Sequence, residues 1–152
     1  YLDISADAQL PALTSVGGDL YIRADAQLPA LTSVGGYLDI SAGSNLIAPA
    51  LRQLSGHPLP DDATATARIR DVAAAALVSA DALDMRQWHT CKTTHCIAGW
   101  GIHQAGADGY KLEKATSSAA AGAILLGIEA AHHFHASNDA ARAWLRSKLE
   151  AA

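Results

Sequence analysis

The chain reads as an α+β protein: a short parallel-β solenoid of about three 18–20-residue coils, capped by a C-terminal helical domain. Three observations predict this. "YLDISADAQLPALTSVGG" at positions 1–18 is followed at once by "DLYIRADAQLPALTSVGG" at 19–36, and the two copies differ at only three positions. Apolar residues alternate at the start of each unit, as in a strand with one buried face. From Asp61 onward the apolar spacing becomes three and four, as on one side of a helix. The solenoid is assigned to residues 1–56, the helical domain to 61–152, and "HPLP" at 57–60 to a proline-rich linker, because two prolines resist both a sheet ladder and a helix interior.

Within each coil the segment "LYI" and its equivalents form a short strand. Leu2, Ile4, Leu20, Ile22, Leu38 and Ile40 point inward, and Leu28, Leu31 and Val34 continue the buried set around the coil. The three differences between the copies, Tyr1/Asp19, Asp3/Tyr21 and Ser5/Arg23, all fall on the outward face. Stacking the coils gives rows Tyr1/Asp19/Tyr37, Asp3/Tyr21/Asp39 and Ser5/Arg23/Ser41, a tyrosine–aspartate checkerboard. The third coil keeps the pattern if two residues are inserted, which places Leu51 and Leu54 on Leu31 and Val34. The order L-x-I-x-x-D-x-x-L-x-x-L-x-x-V resembles a shortened leucine-rich repeat with Asp25 at that family's asparagine position. A left-handed β-helix would require apolar residues every six positions, which this spacing lacks.

In the second region Asp61 or Asp62 caps a helix through "TATARIRDVAAAALVSA", with Ile69, Val72, Ala76 and Leu77 on one face. "DALDMRQWHTCK" reads as a turn or short helix. Thr93 or Thr94 caps "HCIAGWGIHQAG", which ends near Gly106. A third helix covers about 116–126, "GIEAAHHF" forms a short one, and Ser137 or Asn138 caps "DAARAWLRSKLE". The longest apolar stretch, "SSAAAGAILLGIEAA", is too short and too interrupted to span a bilayer. Two cysteines do not make a disulfide framework, and a cytoplasmic location is expected.

Charge is unevenly distributed. Residues 1–50 hold five aspartates against Arg23 alone, so the whole net charge of −4 lies there, while residues 51–152 balance ten acidic with ten basic residues. An acidic balance disfavours direct nucleic-acid binding and points to a basic protein surface. Tyrosine suits an interface because it offers rigid area at small entropic cost. The expected partner-binding residues are therefore Tyr1, Asp3, Asp19, Tyr21, Tyr37 and Asp39, with no catalytic residue, metal or cofactor required. One specific form of this expectation is an acidic decoy for a basic nucleic-acid-binding groove.

The alternative centre is "WHTCKTTHCIAGWGIH", which holds His89, Cys91, His95, Cys96 and His103. Four of these five could ligate zinc, although no C-x-x-C or H-x-x-x-H pair is present. Cys91 near a helix N-terminus could serve as a hydrolase nucleophile with a histidine base, although no acidic residue lies adjacent to orient that base. Both cysteines also read as small packing residues. On a helix Cys96, Trp100 and His103 share a face and His95 points elsewhere. A disulfide between the two cysteines is not expected to stabilise the fold. His132, His133 and His135 read as solvent-exposed polar residues.

Asp84, Met85 and Trp88, then Cys91, Thr93, Cys96, Ile97, Ala98, Gly99 and Trp100, then Leu125, Leu126, Gly127 and Phe134 carry a second resemblance. It is to a group of small phage and bacterial proteins with the signature C-G-T-x-x-C-I-A-G-W, covering about half of the chain, with Lys92 in place of the usual glycine. The resemblance implies a phage or prophage context and no particular reaction. Joined to the acidic face, it leads to the expectation of a protein that inhibits a host defence factor, such as an anti-CRISPR.

Overall fold

The computed structural model describes residues 1–151. It is α+β, with nine strands in residues 2–54, a tenth at 57–58, a two-stranded hairpin further on and six helices among the described residues. The first coil contributes β1 (Leu2–Ile4), β2 (Ala8–Gln9) and β3 (Ser15–Val16). The second contributes β4 (Leu20–Ile22), β5 (Ala26–Gln27) and β6 (Ser33–Val34), and the third β7 (Leu38–Ile40), β8 (Leu46–Ile47) and β9 (Gln53–Leu54). Like pairs with like: β1-β4-β7 and β2-β5-β8 form two parallel sheets, and β3-β6-β9 a third. Leu2, Leu20 and Leu38 stand in register, as do Ile4, Ile22 and Ile40. Leu20, Ile22, Leu28, Leu31 and Val34 are all buried, which follows from the alternation of the strand.

Partners are 18 residues apart at Ile22↔Ile40 and 20 apart at Ala26↔Leu46, so the two extra residues of the third coil lie between these points. Gly43 takes a positive φ of 82° there and supplies the turn. Asp7 and Asp25 occupy the position that bonds backbone, and they bond the next coil: Asp7 Oδ1 accepts from Asp25 N–H and Asp25 Oδ1 from Asn45 N–H, each at 3.1 Å.

The assignment of 57–60 as a linker is corrected. His57–Pro58 forms β10, antiparallel to β9 at the edge of the third sheet, and Leu59 N–H donates to Arg52 O at 2.8 Å. A proline that cannot donate is tolerated at a sheet edge.

Asp61 caps α1 (Asp62–Ala76) through its side chain to Thr64 N–H. Ile69, Val72, Ala73 and Ala76 are buried, while Leu77 sits half-buried at the C-cap. Residues 81–92 are neither one turn nor a helix: His89–Cys91 (β11) and Thr94–His95 (β12) form an antiparallel hairpin around Lys92 and Thr93. Thr93 and Thr94 therefore do not cap the next helix, α2 (Ile97–Gln104). Cys96 caps it, its sulfur accepting from Gly99 N–H at 3.3 Å. Helix α3 (Gly106–Ala115) lies where the sequence reading places no helix: Gly106 and Gly109 weaken its first turn, while Lys111–Ala115 are good helix formers. It forms against α2, with Gly109 so close that a Cβ there would lie 2.2 Å from Ile102 O. Ser117 caps α4 (Ser118–Leu126), α5 (Ile128–Ala131) follows, and Ser137 caps α6 (Asn138–Glu150). One continuous core joins the repeats to the helices through Leu38, Leu54, Ile97, Leu126 and Phe134. No helix of the described residues is long and apolar enough to cross a membrane.

Candidate functional site

The outward face of β1-β4-β7 carries the expected checkerboard. Asp3 lies opposite Tyr21, and Tyr21 opposite Asp39. Tyr1 and Asp3 are exposed; Asp19, Tyr21, Tyr37 and Asp39 face outward as expected but are half-buried. The rings bury one another. Tyr1 meets Tyr21 edge-to-face at 5.9 Å, and Tyr21 meets Tyr37 in the same way at 5.6 Å, so the three tyrosines run diagonally across the strands. The hydroxyls of Tyr21 and Tyr37 are 2.6 Å apart, and this bond is the main cause that pushes the Tyr21 pKa up to about 12.

The carboxylates have partners too. Asp3 Oδ2 accepts from Arg23 Nε at 3.2 Å, and the Arg23 guanidinium stands 5.2 Å from the centre of the Tyr21 ring. Asp19 Oδ1 accepts from Tyr37 N–H at 3.1 Å. Gly36 makes room for this bond, since a Cβ there would sit 1.9 Å from Asp19 Oδ1. Asp39 Oδ1 is 3.3 Å from His135 Nε2 of the helical region. Beside the face, a cleft of about 270 Å³ lies between Asp19, Tyr37 and Ser55 on one side and Ala115, Thr116 and Ser117 on the other.

The Cys/His stretch resolves differently from its helical reading. The hairpin brings His95 into a buried cluster instead of turning it away: its ring stacks on His103 at 4.6 Å and meets Trp100 edge-on at 4.8 Å. His95 Nε2 faces Lys92 O at 3.2 Å; a carbonyl only accepts, so that nitrogen carries a proton. Burial lowers the His95 pKa and favours the neutral ring, which leaves Nδ1 to accept from His89 Nδ1–H at 2.8 Å. His89 Nε2 in turn faces Glu113 Oε1 at 2.9 Å, and Ser118 Oγ donates to the same oxygen at 2.6 Å. His103 Nδ1 pairs with Tyr110 Oη at 2.9 Å.

No acidic residue is adjacent in the chain, but the fold brings one to His89 from α3, 24 positions away. The sequence reading passes over Glu113 and Tyr110 because the glycines at 106 and 109 mask the helix-forming run Lys111–Ala115, which is the signal that marks this helix. The two cysteines take separate roles and are not bonded. Cys91 is exposed, with its pKa brought down to about 7 chiefly by the Thr93 hydroxyl 3.4 Å away. Cys96 is buried, and burial pushes its thiol up to about 11. No group of three or more His, Cys, Asp or Glu side chains among the described residues is arranged to hold a metal ion.

The signature residues fasten the 81–91 segment to α2. Trp100 Nε1 donates to Ala82 O at 2.7 Å and Cys96 N–H to Trp88 O at 3.3 Å, while Thr94 Oγ1 of β12, at a variable position of the signature, adds a bond to Asp81 O at 2.8 Å. Gly99 permits this approach, for a Cβ there would lie 1.8 Å from Trp88 O. Of the three histidines read as solvent-exposed, His135 is exposed, whereas His132 and His133 are half-buried. His132 Nε2 accepts from Leu46 N–H at 3.2 Å while its Nδ1–H faces Ile128 O at 2.9 Å, His133 stacks on Trp144 at 4.1 Å, and His135 meets Asp39. Two of the three therefore stitch the helices to the repeats. No family model, curated protein or solved structure matches this chain.

Proposed function

We propose that the chain is a binding protein whose repeat half is a short leucine-rich-repeat-like solenoid. Its Tyr/Asp face docks on a basic protein surface, and the helical half caps the stack. The observation that carries this reading is the row Asp3–Tyr21–Asp39, held side by side by parallel pairing in the part of the chain with all of its net charge. Rigid aromatic area between carboxylates suits an interface that must attract and then exclude water. In a phage or prophage setting the partner is a host defence protein, and the chain acts as its inhibitor. Internal pairing of Asp3, Asp7, Asp19, Asp25 and Asp39 favours a protein-reading face over a mimic of the evenly spaced charge of duplex DNA.

The test compares capture of partners from a bacterial host lysate by the native chain and by an Asp3→Asn, Tyr21→Ser, Asp39→Asn variant. The variant leaves Leu20, Ile22 and Leu38 in place, so it should keep the native circular-dichroism spectrum and a cooperative melt, lowered only by the lost Tyr21 contacts and Asp39–His135 pair, and lose binding. Raised salt should slow association of the native chain. Undiminished binding by the triple variant, or loss only when Cys91 or Cys96 is changed, would overturn the reading.

A second reading is a hydrolase centred on residues 89–103. The Glu113–His89 pair favours it, together with the Cys91 thiol held near pKa 7 on the same strand. A zinc-binding version would be recognised by stoichiometric metal in the purified protein.

A further inference from the structure

The chain already holds one arginine on the proposed docking face. Arg23, the only basic residue among positions 1–50, places its Nε on Asp3 Oδ2 at 3.2 Å and its guanidinium 5.2 Å from the Tyr21 ring centre. Tyr21 has a carboxylate on both sides, because Asp3 and Asp39 are its two cross-strand neighbours. Arg23 fills the first side. On the second side the residue equivalent to Arg23 is Ser41, whose short side chain brings no guanidinium to the face, and Asp39, about a quarter exposed, is met there by His135 through Oδ1 at 3.3 Å.

We propose that this face selects arginine: a partner's guanidinium docks over Tyr21 and Tyr37 against Asp39, repeating the contact that Arg23 makes with Tyr21 and Asp3. The inference rests on the functional reading above and narrows its partner from a basic surface to an arginine-bearing one. A planar guanidinium can stack on a ring while it donates in a fork to a carboxylate. An ammonium is a strongly hydrated point charge and gains less from the ring. Arg23 then acts as an internal competitor that occupies half of the available places.

The experiment titrates labelled decapeptides of alternating arginine and serine, or lysine and serine, into the native chain and into Arg23→Ser. Serine is the residue found at positions 5 and 41 of the same column, so the substitution suits the coil. The native chain should bind the arginine peptide on the order of fivefold more tightly than the lysine peptide. That ratio should rise in Arg23→Ser, which opens the second place, and fall towards one in Tyr21→Leu. Equal binding of the two peptides by both the native chain and Arg23→Ser overturns the arginine inference and leaves a face that reads charge alone. Binding of neither peptide, or binding unchanged by Asp3→Asn with Asp39→Asn, overturns the docking face itself.

Discussion

Gly99→Ala separates local propensity from tertiary packing by the sign of its effect. Inside a helix, alanine in place of glycine should stabilise by about 0.8–1 kcal/mol. Here the new Cβ would fall 1.8 Å from Trp88 O, 2.9 Å from Trp88 C and 3.0 Å from His95 Cβ. Because such contacts do not occur below 3.0 Å, the Trp88 carbonyl must retreat by about 1.2 Å. That movement breaks the Cys96 N–H bond to Trp88 O and disturbs the cap that Cys96 sulfur gives Gly99 N–H. Overpacking costs about 1–3 kcal/mol and an orphaned buried donor a similar amount. After the propensity gain, the net loss is about 1–5 kcal/mol, or roughly 2–20 °C in melting temperature for a chain of this size. Thermal and urea unfolding followed by circular dichroism will measure it. Gly17→Ala serves as the control, since a Cβ there meets nothing within 4 Å. A Gly99→Ala protein as stable as the native one would show that Trp88 is not anchored where described.

The two thiols should differ in reactivity: iodoacetamide should alkylate Cys91 with a midpoint near pH 7 and leave Cys96 untouched until the chain unfolds, as mass spectrometry can follow. Reducing agent should leave the melting temperature unchanged, and equal labelling of both cysteines in the folded protein would contradict the Cys96 cap. Stability should also fall on mild acidification. His95 is held below its ordinary pKa first by burial and then by the His103 and His89 charges, and burial lowers His133 in the same way. For each, the unfolded chain binds the proton more readily, so the stabilisation is present above about pH 6.5 and is lost as pH falls through the folded-state value. Urea midpoints between pH 7.5 and 5 should therefore decline, with a shallower slope in His95→Gln, and a flat profile would refute the buried neutral ring.

The features legible in the sequence are those set by short-range periodicity. An 18-residue repeat with alternating leucine and isoleucine leaves one register that buries them, and β1, β4 and β7 adopt it. The caps of α1 and α6 were equally readable, because Asp61 and Ser137 bond a backbone N–H only three residues away. The candidate face follows from the same alternation.

What tertiary structure decided depends on groups far apart in the chain. Helix α3 opens on a weak glycine-bearing turn and packs Gly109 under α2, and this packing, not the local sequence, brings Glu113 to His89 across 24 positions. His95 reads as one residue of a helix until the hairpin ends and Cys96 takes the cap, which turns the ring onto His103. Asp39 looks like Asp3 in the repeat, yet it meets His135 from 96 positions later while Asp3 meets Arg23. Gly17 and Gly35 make the point most directly, since they stand in identical sequence surroundings. A Cβ at Gly17 would meet nothing, whereas one at Gly35 would lie 2.3 Å from Gly17 O. The repeat specifies the same local conformation twice, but only stacking places another coil's backbone beneath the second copy, and steric exclusion acts through space without regard to sequence order.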